Sequence, residues 1–343
     1  MKKRDLTTAW PVPAPVSIMV MVMTGCLVLA WAKPVSAENA LKSDLQHALL
    51  VSLLAALPAA KASAGVPMDL AISIGYREDN LDWNIAGEDV DVLSELTWKN
   101  LAIAQARATA RLDIKNDWRI RAEAGYGVIT SGANQDSDYN GNNRTLEFSR
   151  SNNKAGGNVV DASIGIGRTL RLLDQTVGKF IYVTPVIGLS IHQQNLTITD
   201  GVQTIPAFGP FPGLNTTYDA QWQGPWVGVD AVIETGGDMT LIANAEYHMA
   251  NYSAKANWNL RDDFAHPVSF KHTAKGQGLV TSVGISFPAA KNWTLNAILK
   301  YQAWSTRAGS DWVYFSDGST GYAHLNAVNW ESTAYNLEIV HQF

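Results

Sequence analysis

Alternation of apolar and polar residues is the feature that most limits what this chain can fold into, and it is clearest in the last nine residues. Four apolar residues of that stretch share one face: Tyr335, Leu337, Ile339 and Phe343. The residues between them include Asn336, Glu338 and Gln342. Because successive side chains of a strand point to opposite faces, the segment predicts a strand with one apolar face and one wet face. A single strand of this kind also fits a soluble sandwich, so the number of repeats decides between the two.

The same alternation recurs from about residue 69 onward and predicts ten strands. We place them at 69–84, 91–112, 117–131, 158–172, 179–200, 220–234, 239–258, 271–287, 293–306 and 328–343. Charged residues occupy the polar face within several strands; between Ala102 and Leu112, for example, Arg107 and Arg111 alternate with alanines. A dry core penalises such charges, whereas the polar interior of a membrane barrel accepts them. The pattern therefore favours a membrane barrel over a sandwich.

The connections between these strands fall into two length classes. Short turns lie at 114–117, 173–178, 235–238 and 288–292, and long polar loops are predicted at 132–157, 201–219, 259–270 and 307–327. Short turns on one side and long loops on the other are typical of bacterial outer-membrane proteins. We therefore predict an all-β fold, a ten-stranded antiparallel transmembrane β-barrel with short periplasmic turns and long extracellular loops. Ten strands enclose a narrow lumen, which we expect side chains to fill.

Seven tryptophans near the predicted strand ends suggest aromatic girdles at the two membrane surfaces. They are Trp83, Trp98, Trp118, Trp222, Trp258, Trp293 and Trp304.

The front of the chain predicts export. Residues 41–64 contain a basic residue, a short apolar core and a small-x-small sequence ending at Ala64, as a signal peptide requires. We expect residues 1–64 to be an export leader, with 1–40 an upstream extension and 41–64 the signal peptide, and residues 65–343 to form the barrel. Two alternatives are a signal cut after Ala37 and a lipoprotein-type box at Cys26. Cys26 is the only cysteine, so a chain cut at Ala64 has no thiol for a disulfide or for catalysis.

The charge balance limits the partners. Residues 65–343 hold 20 basic and 28 acidic residues, a net charge of −8, which argues against nucleic acid. The expected partner is outer-membrane lipid. No metal-ligand spacing connects the histidines, and His192 and His248 fall on lumen faces, where we expect hydrogen-bonded structural histidines.

Three segments carry a resemblance to a known family. Residues 69–75 read Asp-Leu-Ala-Ile-Ser-Ile-Gly, residues 93–99 read Leu-Ser-Glu-Leu-Thr-Trp-Lys, and residues 225–228 read Pro-Trp-Val-Gly. Together with the ten-strand layout they resemble the omptins, outer-membrane proteases, over about residues 69–343, either as a member or as a sister family. The resemblance implies an endopeptidase in which a water molecule lies between an Asp pair on the second outer loop and an Asp–His pair on the fourth.

The implied catalytic residues are Asp136, Asp138, Asp263 and His266. Asp136 and Asp138 match the Asp-x-Asp-aromatic motif, although a calcium-binding or solvated turn gives the same pattern. His266 stands where the catalytic base belongs, but the family has Asp two residues before it and this chain has Phe264; Asp263 and Asp262 are three and four residues before. The alternative is a surface histidine among solvated carboxylates.

Two other family features are missing from the sequence. The acidic residue that receives a basic substrate side chain falls on Trp83, so cleavage between basic residues is not implied. The lipid A contact pattern is absent from residues 189–193, so an activating lipopolysaccharide is not supported, and no other cofactor is expected. Candidate functions are therefore an endopeptidase acting on surface peptides or proteins, or a non-catalytic barrel for adhesion, surface binding or envelope structure. The narrow lumen makes a solute pore the least favoured function.

Overall fold

A computed structural model describes residues 67–174, 179–235 and 238–343. The predicted leader, with its alternative cleavage sites, lies outside these residues. The described chain is built from antiparallel strands with these bounds: β1 Met68–Ala86, β2 Ser94–Ile114, β3 Trp118–Gly141, β4 Thr145–Arg168, β5 Leu170–Asp174, β6 Lys179–Ile205, β7 Gly209–Pro210, β8 Asn215–Glu234, β9 Thr240–Asn257, β10 Phe270–Ala290, β11 Trp293–Thr306, β12 Gly309–Tyr314 and β13 Thr320–Gln342. No helix in the described ranges is long and apolar enough to cross a membrane.

Ten of these strands form a closed ring in the order β1, β2, β3, β4, β6, β8, β9, β10, β11, β13. The ring closes because β1 pairs with β13, from Asp69 opposite Gln342 to Ala86 opposite His324. Strand β5 continues β4 along β6, β7 adds to β6, and β12 pairs with both β10 and β13. The predicted ten-stranded antiparallel barrel is confirmed, with most strand ends within a few residues of the prediction.

The prediction of long polar outer loops was partly wrong. Residues 132–157, predicted as a loop, are an extended hairpin in which β3 and β4 continue to the turn at 142–144. Most of 307–327 is strand as well, in β12 and the start of β13. Above a membrane a strand needs no apolar outer face, so its pairing continues after the alternation of hydrophobicity has ended. Of the four predicted loops, only 259–270 is largely without strand, and in the structure this segment spans 258–269.

An apolar belt surrounds the outer wall. It is formed by exposed residues that repeat every second position: Ile74, Tyr76, Val128, Ile164, Ile166, Ile187, Leu189, Val227, Val229, Tyr247, Met249, Leu279, Val283, Leu295, Leu299, Tyr301, Tyr335 and Leu337. Above Tyr76 the outward positions of β1 become polar, beginning with Glu78. Strand β3 continues thirteen residues past Val128 to Gly141, about 40 Å along the strand at 3.3 Å per residue. The outer part of the barrel therefore stands well above the belt.

Aromatic side chains fill the lumen near the upper edge of the belt. This aromatic layer consists of side chains that are at most 3% exposed: Trp83, Trp98, Trp222, Trp304, Trp330, Tyr218 and Tyr252. Trp304 and Trp330 stack with ring centroids 5.4 Å apart, and Gly278 makes room, since a Cβ there would lie 2.3 Å from Trp304. The girdle prediction was therefore wrong for Trp83, Trp98, Trp222 and Trp304, which all point inward.

A buried ionic cluster lies next to the aromatic layer. Arg77 donates to Asp79 at 2.6 and 2.5 Å and to Asp161 at 2.8 Å, and Asp161 also contacts Nδ1 of His192 at 2.8 Å. His248 is held between Ser190 and Glu246, each at 3.0 Å. The prediction of a lumen filled by side chains is confirmed, and so is the prediction that these two histidines are hydrogen bonded within it.

Candidate active site

The predicted Asp pair lies on the outer part of β3. Asp136 is paired with Leu96 of β2, whose side chain is 1% exposed, and Asp138 is paired with Ser94. Because directly paired residues point to the same face of a sheet, Asp136 faces the mouth of the barrel together with Leu96. Asp138, two residues on, shares that face. The pair therefore stands on strand β3 and not, as predicted, in a loop.

The two carboxyl groups influence each other electrostatically. Burial and the neighbouring charge of Asp138 raise the pKa of Asp136 to about 8, although Arg261 and the indole of Trp258 oppose the shift. Burial also raises the pKa of Asp138, against hydrogen bonds from Ser94 and Ser149 that favour its charged form. At neutral pH the pair therefore shares a proton, the arrangement that lets one carboxyl donate while its neighbour accepts.

The segment 258–269, which we call the arginine loop, closes the opposite side of the mouth. Its fold is local: the Arg261 amide donates to the Trp258 carbonyl at 3.0 Å, and the Phe264 amide donates to the Arg261 carbonyl at 3.0 Å. The turn between β12 and β13 holds the loop in place, since the amide of Ser316 donates to the carbonyl of Asp263 at 2.9 Å. Arg261 is thereby fixed near the Asp pair, where its charge acts on both carboxyl groups.

The arginine loop gives His266 and Asp263 partners that the sequence did not predict. Nδ1 of His266 lies 2.7 Å from Oδ1 of Asn257, and both oxygens of Asp263 accept from Arg261, at 2.8 and 2.7 Å. An amide oxygen only accepts hydrogen bonds, so this contact places a proton on Nδ1 and leaves Nε2 of a neutral His266 as a base. The His266 side chain is exposed at the mouth.

Sequence reasoning missed Asn257, Trp258 and Arg261. No local motif identifies them, because each acquires its role from the path of the arginine loop after β9 ends at Asn257. The sequence contains one local feature that could have pointed to Arg261: it directly precedes two aspartates in the polar segment before His266.

A second constellation lies deeper and offers no room for a substrate. Ser190, His248 and Glu246 form a hydrogen-bonded series of the type used in nucleophilic catalysis. All three side chains are at most 9% exposed, and the adjoining cavity, which His248 and Glu246 help to line, measures about 10 Å³. A cavity of that size holds about one water molecule, so these residues are part of the lumen packing. Among the described residues, no group of three His, Cys, Asp or Glu is arranged to hold a metal ion.

A closed antiparallel ring with an apolar outer belt, a filled lumen and a polar outer mouth defines an integral outer-membrane β-barrel. A profile of the family described as Protochlamydia outer membrane protein, Pom, matches residues 71–343, so the chain belongs to that family. The protein is therefore an integral protein of the bacterial outer membrane, and the predicted localisation is confirmed. No curated protein matches the chain by sequence.

One solved structure agrees with the omptin-like layout. The outer membrane protease OmpT from Escherichia coli is similar with a TM-score of 0.62 and 14% sequence identity, over 81% of this chain and 97% of that one. At this identity the likeness concerns the fold alone, and together with the family match it supports an omptin-like outer-membrane barrel. The translocator domain of the autotransporter NalP from Neisseria meningitidis covers 89% of this chain and 98% of its own, at 12% identity and a TM-score of 0.35.

Proposed function

We propose that the outer mouth of this barrel is the active site of a surface endopeptidase. The observation that carries the proposal is the Asp136–Asp138 pair, which shares a proton at neutral pH next to a loop that supplies the guanidinium of Arg261 and carries the exposed His266. Hydrolysis of a peptide bond requires an activated water molecule and a group that stabilises the negative charge developing on the carbonyl oxygen. The mouth contains candidates for both roles.

The proposed mechanism gives each residue one task. A water molecule, hydrogen bonded to ionised Asp138, loses its proton to Nε2 of His266 as it attacks the peptide carbonyl carbon. Protonated Asp136 donates a hydrogen bond to the carbonyl oxygen as negative charge develops there. As the tetrahedral intermediate collapses and the C–N bond breaks, the imidazolium of His266 gives the proton to the leaving amine. Asn257 holds the imidazole in the required tautomer, the task that the family pattern assigns to an aspartate. Asp263 acts through Arg261, which it fixes by two hydrogen bonds.

Single substitutions at the Asp pair and the histidine test the proposal. We expect Asp138→Ala and His266→Ala to abolish cleavage of a mixed peptide library by the refolded barrel, assayed with and without lipopolysaccharide. His324→Ala, which removes an exposed histidine of β13, is the matched control and should cleave like the wild type. Heat-dependent gel mobility checks that each variant is folded. Cleavage retained in both Asp138→Ala and His266→Ala would contradict the proposal.

A non-catalytic adhesin is the second candidate, because apolar side chains stand exposed far above the belt. Phe208 is 80% exposed, Leu146 is 72% exposed and Phe148 is 45% exposed. Exposed apolar groups of this kind often mark interaction surfaces. If this function is correct, beads coated with the barrel adhere to host-cell monolayers, Phe208→Ser with Leu146→Ser reduces adhesion, and no peptide is cleaved. Adhesion unchanged in that double variant would eliminate this candidate.

A further inference from the structure

Two walls of the barrel carry opposite charges just above the apolar belt. The acidic wall lies where β1 meets β13 and consists of Glu78, Asp82 and Glu331. These residues alternate outward above the belt residues Tyr76 and Tyr335, so they face away from the lumen. The basic wall lies on β10 and just after β11, and consists of Lys271, Lys275 and Arg307. Its members stand above the belt residues Leu279 and Tyr301.

Two charges on each wall stand the same number of residues above the belt. Glu331 is four residues above the belt residue Tyr335 on its strand, and Lys275 is four residues above Leu279 on its own strand. Asp82 and Arg307 are each six residues above the belt, beyond Tyr76 and Tyr301. The belts of neighbouring barrels align in a common bilayer, so only charges at equal height can meet between copies.

The walls also differ in shape. On the acidic wall, the cross-strand neighbours Tyr76 and Tyr335 are 47% and 60% exposed and form a projecting aromatic pair at the belt edge. On the basic wall, a recess of about 390 Å³ opens at the belt edge between β8 and β11. Its floor includes Pro225, Tyr247 and Met249, and its upper rim includes Lys275 and Arg307. The projecting aromatic pair below the carboxylates of the acidic wall is thus complementary in shape to the apolar recess below the cations of the basic wall.

We propose that the acidic wall of one copy docks against the basic wall of a second copy of this chain, with Tyr76 and Tyr335 entering the recess. Within lipid, association depends on close packing, because the lipid tails solvate apolar side chains as well as another protein does. The ion pairs above the membrane are exposed to water, so they select the partner wall and orientation more than they add affinity.

The position of the walls on the ring limits the assembly. The contact is heterologous, because it joins two different surfaces, and such contacts form either closed rings or open chains. The seam of β1 and β13 and the centre of the recess are separated by three of the ten strand positions, an angle of about 108° in a round barrel. Copies joined at this angle close into a ring of roughly five copies.

Charge reversal tests the contact. In native mass spectra and in cross-linking within phosphatidylcholine vesicles, we expect Glu331→Lys and Lys275→Glu each to reduce oligomers roughly fivefold or more, since each variant brings like charges together. Mixing the two variants should restore association, because the reversed acidic wall of one then meets the reversed basic wall of the other. Lys154→Glu, on the outward face of β4 and away from both walls, is the control and should associate like the wild type.

Site-directed disulfides test whether residue 331 of one copy lies next to residue 275 of another. The described residues contain no cysteine, so a mixture of Glu331→Cys and Lys275→Cys should form a dimer under oxidising conditions, whereas Glu331→Cys with Lys154→Cys should not. A wild-type protein that is monomeric in both detergent and vesicles would overturn the proposal, as would oligomers that survive both charge reversals. Retention of phosphate-bearing lipid by a monomer, lost in Lys275→Glu, would also overturn it and would identify the recess as a lipid site.

Discussion

Replacing Arg77 with methionine tests whether the buried ionic cluster stabilises the barrel. The guanidinium is fully buried and donates to both oxygens of Asp79, at 2.6 and 2.5 Å, and to Asp161 at 2.8 Å. Methionine keeps much of the packing volume but leaves two buried carboxylates without their cation. Asp79 then keeps the Trp330 indole at 3.1 Å as its nearest other donor.

The expected cost is large because the partners stay buried after the arginine is removed. Breaking a buried ion pair by deleting one partner costs about 3–5 kcal/mol, since the remaining charge cannot return to water. We therefore expect Arg77→Met to lower the free energy of unfolding by about 3–5 kcal/mol. Adding Asp79→Asn to Arg77→Met should recover part of this loss, because it removes the uncompensated charge of Asp79, whereas Asp161 keeps its contact with His192.

The measurement is denaturant unfolding of the barrel in vesicles, followed by tryptophan fluorescence and by heat-dependent gel mobility. Arg119→Met is a matched control: Arg119 binds both oxygens of Asp113, at 2.5 and 2.8 Å, but the side chains are 26% and 45% exposed. An exposed pair contributes at most about 1 kcal/mol. Equal losses in Arg77→Met and Arg119→Met would refute the argument that burial determines the cost.

Three further predictions concern the mouth and the lumen. Because the pKa of Asp136 is raised to about 8 from an unfolded value near 3.8, its protonated form stabilises the fold in full below about pH 4, and this contribution is lost as pH rises to about 8. Asp136→Asn should therefore exceed the wild type in stability above pH 8, by about 1–3 kcal/mol in denaturant unfolding, and not at pH 4. Gly278→Ala should lower the free energy of unfolding by about 1–3 kcal/mol, because its Cβ would lie 2.3 Å from Trp304. Gly209→Ala has nothing within 4 Å of its Cβ but has a φ of +82°, so it should cost about 1 kcal/mol. The thermal midpoints of the gel-mobility shift compare the two variants. Planar bilayers containing the barrel should show no steady ionic current, and Trp304→Ala with Trp222→Ala should introduce one; a conducting wild type would contradict the closed lumen.

The strands were predictable because lipid outside and polar groups inside impose a two-residue period on each of them. The same rule could have corrected the girdle prediction at Trp304, which lies three residues beyond the outward Tyr301 and must therefore point inward. It could not have done so at Trp98, because irregular pairing near Asn100, which has a φ of 52°, reverses the faces within β2. Such irregularities leave no mark in the hydrophobic pattern.

The candidate site was less predictable than the fold. Asp136 and Asp138 were found by their spacing, although their placement on a strand was not. The partner of His266 was not predictable, because Asn257 lies nine residues away and approaches only through the turn of the arginine loop. Loop conformation depends on local hydrogen bonds and on contacts with the turn after β12, and neither has a periodic signature in the sequence.

The pairing of β1 with β13 has a consequence for how the barrel forms. This seam joins the two strands that are farthest apart in the sequence of the ring, so its closure carries the largest loop-closure entropy of any pairing in it. Pairings of this kind form late, and until the seam closes both strands present unpaired edges that invite contact with other chains. The rate of assembly should therefore respond most to changes along β1 and β13, even where those changes leave the stability of the finished barrel unaltered.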